Sequence, residues 1–226
     1  MLAIIQLDAR VPAGLAGTLA AEAGLAIDLL TPFSDPLLPE PSNYSGIIIL
    51  GGYMGVGDIR EYPYLVEVKL FMKKAVLQEI PLLGICLGGQ LLAEVLEAPV
   101  HSQSRCEHGV CALQVSDLGQ TDPLLAGLGK EFFSFGWHND SFDVPTGAVA
   151  LASTEQCPGQ AFRYGRAYGL QFHPEVTTEI VAKWSDKTGN SDYILGQFTS
   201  NELEIARASR ILFRNYFAFC IPPGEF

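Results

Sequence analysis

Short apolar runs alternate with amphipathic stretches over the first hundred residues. Residues 3–7 form an apolar run that reads as a first β-strand, residues 14–25 are rich in Ala, Leu and Gly and read as a helix, and Ala26–Leu30 reads as a second strand. Pro32, Pro36, Pro39 and Pro41 mark a loop. Ile47-Ile48-Ile49-Leu50 is a continuous apolar run of the kind buried on both faces of a parallel sheet, and it stops at Gly51-Gly52. Leu65, Val68, Met72 and Val76 then recur at helical spacing. Pro63 precedes them, where a missing N–H is tolerated because a helix start leaves it unpaired anyway. Pro81 to Cys86 reads as another buried strand and Gly88 to Leu96 as a helix. Strand–helix alternation of this kind closes through right-handed crossovers into a mostly parallel sheet.

From about residue 99 the pattern changes. Val110–Val115, Phe132–Trp137, Ala148–Ser153, Ala161–Tyr164 and Tyr168–Phe172 are strand-like with little helix between them, which predicts antiparallel additions to the sheet. Two helical segments follow. In the last, Ile205, Ala208, Leu212 and Tyr216 make an apolar face, while Arg207, Arg210 and Arg214 read as a solvated one. Thr199 with Glu202, or Asn201 with Glu204, is the expected cap. With no repeat, low-complexity tract or linker, residues 1–226 read as a single α/β domain.

Composition narrows the function. The chain has 226 residues, 48% of them hydrophobic, with 14 Lys and Arg against 25 Asp and Glu for a net charge of −11. An acidic balance argues against a nucleic-acid partner, since phosphate contacts need clustered cations. No apolar run reaches the roughly 18 residues a membrane helix requires, and the N-terminus lacks the basic start of a signal peptide. Five widely spaced cysteines do not resemble a disulfide framework, so a reducing, cytoplasmic compartment is expected.

Three segments carry chemistry. In Gly84-Ile-Cys86-Leu-Gly88-Gly89-Gln90 a buried strand ends at a cysteine and a helix begins at once, with glycines on both sides to permit a sharp turn. The helix N-terminus would favour a thiolate; a buried structural cysteine is the alternative. In Gln171-Phe-His173-Pro-Glu175, alternate residues of an extended segment share a face, so His173 can meet Cys86 from a neighbouring strand while Glu175 holds the other ring nitrogen. Alone, that pair reads better as a strand-end histidine hydrogen-bonded to a nearby acid. Gly51-Gly52 leaves backbone N–H groups which, with that of Leu87, would make an oxyanion hole; alone it is an ordinary turn.

Together Leu50-Gly51-Gly52, Gly84 to Gln90 and Gly169-Leu-Gln-Phe-His173-Pro174-Glu175 resemble the class I, triad-type glutamine amidotransferase family over about residues 44–183. Trp137-His138-Asn139-Asp140 and Gln160 to Tyr164 look like stand-alone members related to the glutaminase domain of GMP synthase. The resemblance implies a flavodoxin-like three-layer sandwich with a mostly parallel central sheet and antiparallel additions. It implies that Cys86 attacks the γ-carboxamide of glutamine, that the Gly52 and Leu87 amides hold the oxyanion, and that His173, oriented by Glu175, moves the proton. Gln90, Trp137, His138 and Asn139 would bind the substrate. No metal or organic cofactor is implied.

The sequence departs from the family where Trp137 and Asn139 flank His138 in place of a preceding Ser or Asn and a following Gly, and where Gly89 replaces a commonly larger residue. A reshaped pocket accepting a γ-glutamyl peptide is therefore an alternative to free glutamine, and a non-catalytic binding module is another. No P-loop is present and no synthetase segment is evident, so ammonia would serve a synthetase or other acceptor in trans. Cys106, His108 and Cys111 lack a fourth metal ligand. Glu107-His-Gly109 resembles a supporting turn beside the family's active site. Asp140 and His138 read as loop structure around the pocket, and His101 as an ordinary surface or half-buried residue.

Overall fold

The computed structural model describes residues 1–221; the single-domain expectation for 1–226 extends past them. The strands are β1 (Leu2–Ile5), β2 (Ile27–Leu30), β3 (Gly46–Ile49), β4 (Leu82–Ile85), β5 (Val100–His101), β6 (Glu107–Val115), β7 (Glu131–His138), β8 (Ser141–Phe142), β9 (Val149–Ser153), β10 (Ala161–Tyr164) and β11 (Ala167–Leu170). The helices are α1 (Gly14–Glu22), α2 (Tyr64–Leu77), α3 (Leu87–Val95), α4 (Asp117–Gln120), α5 (Thr178–Ser185) and α6 (Ser191–Cys220). Nine strands form one sheet in the order β2-β1-β3-β4-β11-β10-β9-β6-β7, and β5 pairs with β8 apart from it. From β2 to β11 neighbours run parallel; from β11 to β7 they run antiparallel.

The all-apolar strands are explained by cover on both faces. Leu2 and Ile4 of β1, Ile48 of β3, and Leu83 and Ile85 of β4 belong to one buried cluster with Ala16 and Leu19 of α1, Val181 of α5 and Leu212 of α6. Their alternate neighbours Ala3, Ile5, Ile47, Ile49 and Leu82 belong to a second, with Leu65, Val68 and Met72 of α2 and Leu91 and Leu92 of α3. The result is a helix–sheet–helix sandwich, as alternation of side chains across a strand requires. The buried hydroxyl of Tyr216 in α6 meets the backbone of Ile47 and Pro81, fastening α6 beneath β3 and β4.

Two sequence expectations need correction. α6 is one helix of 30 residues beginning at Ser191, so Thr199, Asn201, Glu202 and Glu204 lie inside it and cap nothing. The Thr199 hydroxyl donates back to the Leu195 and Gly196 carbonyls instead. Strand β11 ends at Leu170 rather than Phe172, although Tyr168, Leu170 and Phe172 still share one buried cluster. The Arg210 and Arg214 side of α6 faces solvent, as its charge requires.

Candidate active site

The carboxyl ends of β3, β4 and β11 meet at one edge of the sheet. In the register of β4 against β11, Gly84 lies opposite Gly169 and Ile85 opposite Leu170, and the Cys86 amide donates to the Leu170 carbonyl at 2.8 Å. The residues leaving each strand, Cys86 on one and Gln171 to Glu175 on the other, therefore emerge side by side. Cys86 stands at φ 52°, ψ −109°, a conformation that a non-glycine residue holds only where its surroundings impose it, at a cost of about 1–3 kcal/mol. What imposes it is contact between backbones. A Cβ on Gly84 would lie 2.4 Å from the Gly88 carbonyl oxygen, one on Gly88 2.2 Å from that of Ile49, and one on Gly89 2.5 Å from that of Leu170. Gly89 is thus needed where α3 approaches β11. Gly89 is not among the residues that line the cavity over this edge.

His173 is 2% exposed and Glu175 fully buried. His173 Nδ1 meets Glu175 Oε1 at 2.7 Å, while Nε2 has no hydrogen-bond partner. Burial opposes charge on the imidazole, but Glu175 and the neighbouring Cys86 sulfur outweigh it and push its pKa up to about 10. The edge of Trp184 packs against the ring at 4.9 Å, its own indole N–H donating to the Arg10 carbonyl at 3.0 Å. Gly51 clears the space between the groups, since a Cβ there would sit 3.1 Å from His173 Cε1 and 3.4 Å from Cys86 Cβ. Gly52 lies against Leu87, and neither amide donates to a backbone acceptor among the described residues.

A cavity of about 330 Å³ opens over this edge. Cys86, His173, Gly52, Gln90, Trp137, His138 and Asn139 line it, whereas Glu175 stays behind the ring. The Trp137 carbonyl oxygen is 3.9 Å from Cys86 Sγ. Gln90 Nε2 donates to the Asp140 carbonyl at 3.0 Å and reaches Gln171 Oε1 at 3.3 Å. Tyr53, Asp58, Gln103 and Trp184 also line the cavity and carry no sequence signal; only the fold brings them there.

A second cluster lies beside the first. Glu107, His138 and Cys157 place a carboxylate oxygen, a ring nitrogen and a thiol within 4.8 Å of one another. As a metal site its chemistry is poor. Burial first, and then Glu107, push the Cys157 thiol up to about 11, and the carboxylate already accepts from Thr154, Gln160 and His138. Cys106, just before β6, is exposed and its thiol meets the Asn139 carbonyl at 3.2 Å, while His108 packs edge-on against Trp137.

A strained cysteine between a strand and a helix, with a buried His–Glu pair beside it on a mixed α/β sheet, defines a class of protein, and the comparisons agree. The sequence model described as Glutamine amidotransferase class-I matches residues 21–182, and the chain belongs to that family. It is 34% identical over 152 residues to the glutamine amidotransferase-like protein YfeJ of Salmonella typhimurium, covering 65% of this chain and 63% of that one. It is 32% identical over 157 residues to a subunit of the glutamine-hydrolysing GMP synthase of Sulfolobus acidocaldarius, covering 68% and 78%. The chain spans a little under two thirds of YfeJ and 28% of the GMP synthase of Thermosipho africanus. A crystal structure of a glutamine amidotransferase from Thermotoga maritima superposes with a TM-score of 0.86 at 28% identity, covering 95% of this chain and 96% of that one. Among the described residues no helix is long and apolar enough to cross a membrane.

Proposed function

We propose that this chain hydrolyses the γ-carboxamide of glutamine through a thioester on Cys86 and passes the ammonia to an acceptor in trans. The observation that carries the reading is the free, buried Nε2 of His173 beside Cys86, with Nδ1 held by Glu175. The Cys86 thiolate attacks the γ-carbonyl carbon, and the oxygen takes the negative charge facing the Gly52 and Leu87 amides. His173 Nε2–H then protonates the departing nitrogen, the C–N bond breaks, and ammonia leaves a γ-glutamyl thioester. Acylation removes the negative sulfur that helped hold the ring proton. The neutral ring can therefore take a proton from water as the water attacks the thioester, releasing glutamate and restoring thiolate and imidazolium. Glu175 keeps the ring oriented through both halves. The likeness to one subunit of a glutamine-hydrolysing GMP synthase supports an acceptor protein in trans.

Purified protein incubated with glutamine should release glutamate and ammonia in equal amounts, and mass spectrometry of the quenched enzyme should find a γ-glutamyl adduct on Cys86. Cleavage of γ-glutamyl dipeptides but not glutamine would replace this reading with a free-standing γ-glutamyl hydrolase. Absence of adduct and turnover with both would leave a binding module.

A further inference from the structure

Glu107 is a buried acid that the proposed chemistry does not use, and it is bonded on several sides. His138 Nδ1 lies 3.0 Å from the Asp140 carbonyl oxygen, which can only accept, so Nδ1 carries a hydrogen. Nε2 lies 3.1 Å from Glu107 Oε2, and that carboxylate also accepts from the Thr154 hydroxyl and the Gln160 carboxamide. The Thr154 and Gln160 donors are thereby matched, and a single hydrogen shared between Nε2 and Oε2 closes the contact with His138. Strands β6 and β7 make this possible because their register sets Glu107 directly opposite His138. The Asp140 carbonyl is also gripped by Gln90 of α3, four residues after Cys86, and the Asp140 carboxylate accepts from the Gln103 amide. A chain of bonds thus runs from Glu107 through His138 and Asp140 to the helix that carries the nucleophile, enclosing the Trp137–Asp140 wall of the cavity.

We propose that Glu107 and His138 are a positioning pair that fixes the Trp137–Asp140 wall of the cavity against α3 and so sets how the substrate seats beside Cys86. The inference rests on the glutaminase reading above. Neither Glu107 nor Cys157 touches the reacting atoms. A gap in the network leaves Cys86, His173 and Glu175 where they are but lets the wall move.

Glu107→Gln and Thr154→Val, each and together, test this. Glu107→Gln keeps the size but exchanges one accepting oxygen for an N–H, which then faces the Thr154 hydroxyl or the Gln160 carboxamide N–H. Two reagents read the outcome: iodoacetamide, which needs only the thiol, and 6-diazo-5-oxonorleucine, which must also seat as glutamine does. The expected result is a rise in KM for glutamine of about tenfold or more, kcat within about threefold, and second-order labelling by the glutamine-like reagent reduced in proportion. Iodoacetamide labelling should stay within about twofold of the parent, and the double variant should be no worse than the worse single one. Unchanged KM with unchanged labelling by both reagents would overturn the positioning role. So would equal loss with both reagents, which marks general damage to the fold. If the parent protein reacts with iodoacetamide but neither turns over glutamine nor reacts with the glutamine-like reagent, it is the glutaminase reading that fails.

Discussion

Two buried histidine–glutamate pairs sit near the same end of the sheet and differ in how fully they are bonded, since Glu175 Oε2 and His173 Nε2 have no partner while Glu107 also accepts from Thr154 and Gln160. In His173–Glu175 the partners are two residues apart, the contact is 2.7 Å, and the second ring nitrogen is unclaimed. In His138–Glu107 they are 31 residues apart on opposed strands, the contact is 3.1 Å, and the second ring nitrogen is held by a carbonyl. The residue types are the same. The first ring has a nitrogen to offer a reactant, and the second has none. On the proposed reading the ring that reacts is the one with the unsatisfied atom, which is costly to bury and persists here beside a thiol. The closed pair serves geometry instead.

The strongest way to break this comparison is to remove the groups on the open side. Cys86→Ala should lower glutamine turnover by at least about 10⁴-fold, and His173→Ala by nearly as much, because such residues act as a unit. Circular dichroism should be unchanged for both. If either variant keeps more than a tenth of the parent rate in a coupled glutamate assay, the open pair is not the working one.

Glu175→Gln comes next. It should cost about 10²–10⁴-fold in kcat with little change in KM, the opposite split from Glu107→Gln. It should also lower the His173 titration midpoint, followed by imidazole NMR, from about 10. The sign for stability follows. The folded-state value lies above the roughly 6.5 of an unfolded histidine, so the contribution is complete below pH 6.5 or so and is lost as pH rises through about 10. Urea titrations at pH 7 and 10.5 should show a smaller difference for Glu175→Gln than for the parent.

Gly88→Ala sharpens the contrast by disturbing the elbow alone. Its Cβ would lie 2.2 Å from the Ile49 carbonyl oxygen, so a loss of about 3 kcal/mol or more is expected in denaturant melts. The smallest effect has the opposite sign. Cys86→Gly should be inactive yet about 1–3 kcal/mol more stable than Cys86→Ala, because glycine accepts φ 52° without strain. A less stable glycine variant would mean the elbow is relaxed.

The open pair is far easier to see in the sequence than the closed one. Apolar runs such as Ile47–Leu50 and the glycines around Cys86 report local demands, and His173 and Glu175 are near neighbours in the chain. The Glu107–His138 contact depends on the register of β6 against β7, which residue types alone do not set. Trp184 reaches His173 through the packing of α5, which no spacing records. The start of α6 carries Asn190 at the N-cap and Asp192 in the first turn, but Asn190 makes no side-chain cap bond, and the Thr199 and Asn201 box patterns that compete with it lie inside the helix.

The bond between Tyr216 and the entry ends of β3 and β4 has a consequence for biosynthesis. A nascent chain that has emerged as far as Glu175 already contains every strand of the sheet, the thiol and the imidazole, yet one face of that sheet still waits for the helix that supplies Leu212, Phe213 and Tyr216. During that interval the uncovered face is sticky, and chaperones that recognise apolar surface have their longest opportunity to engage it.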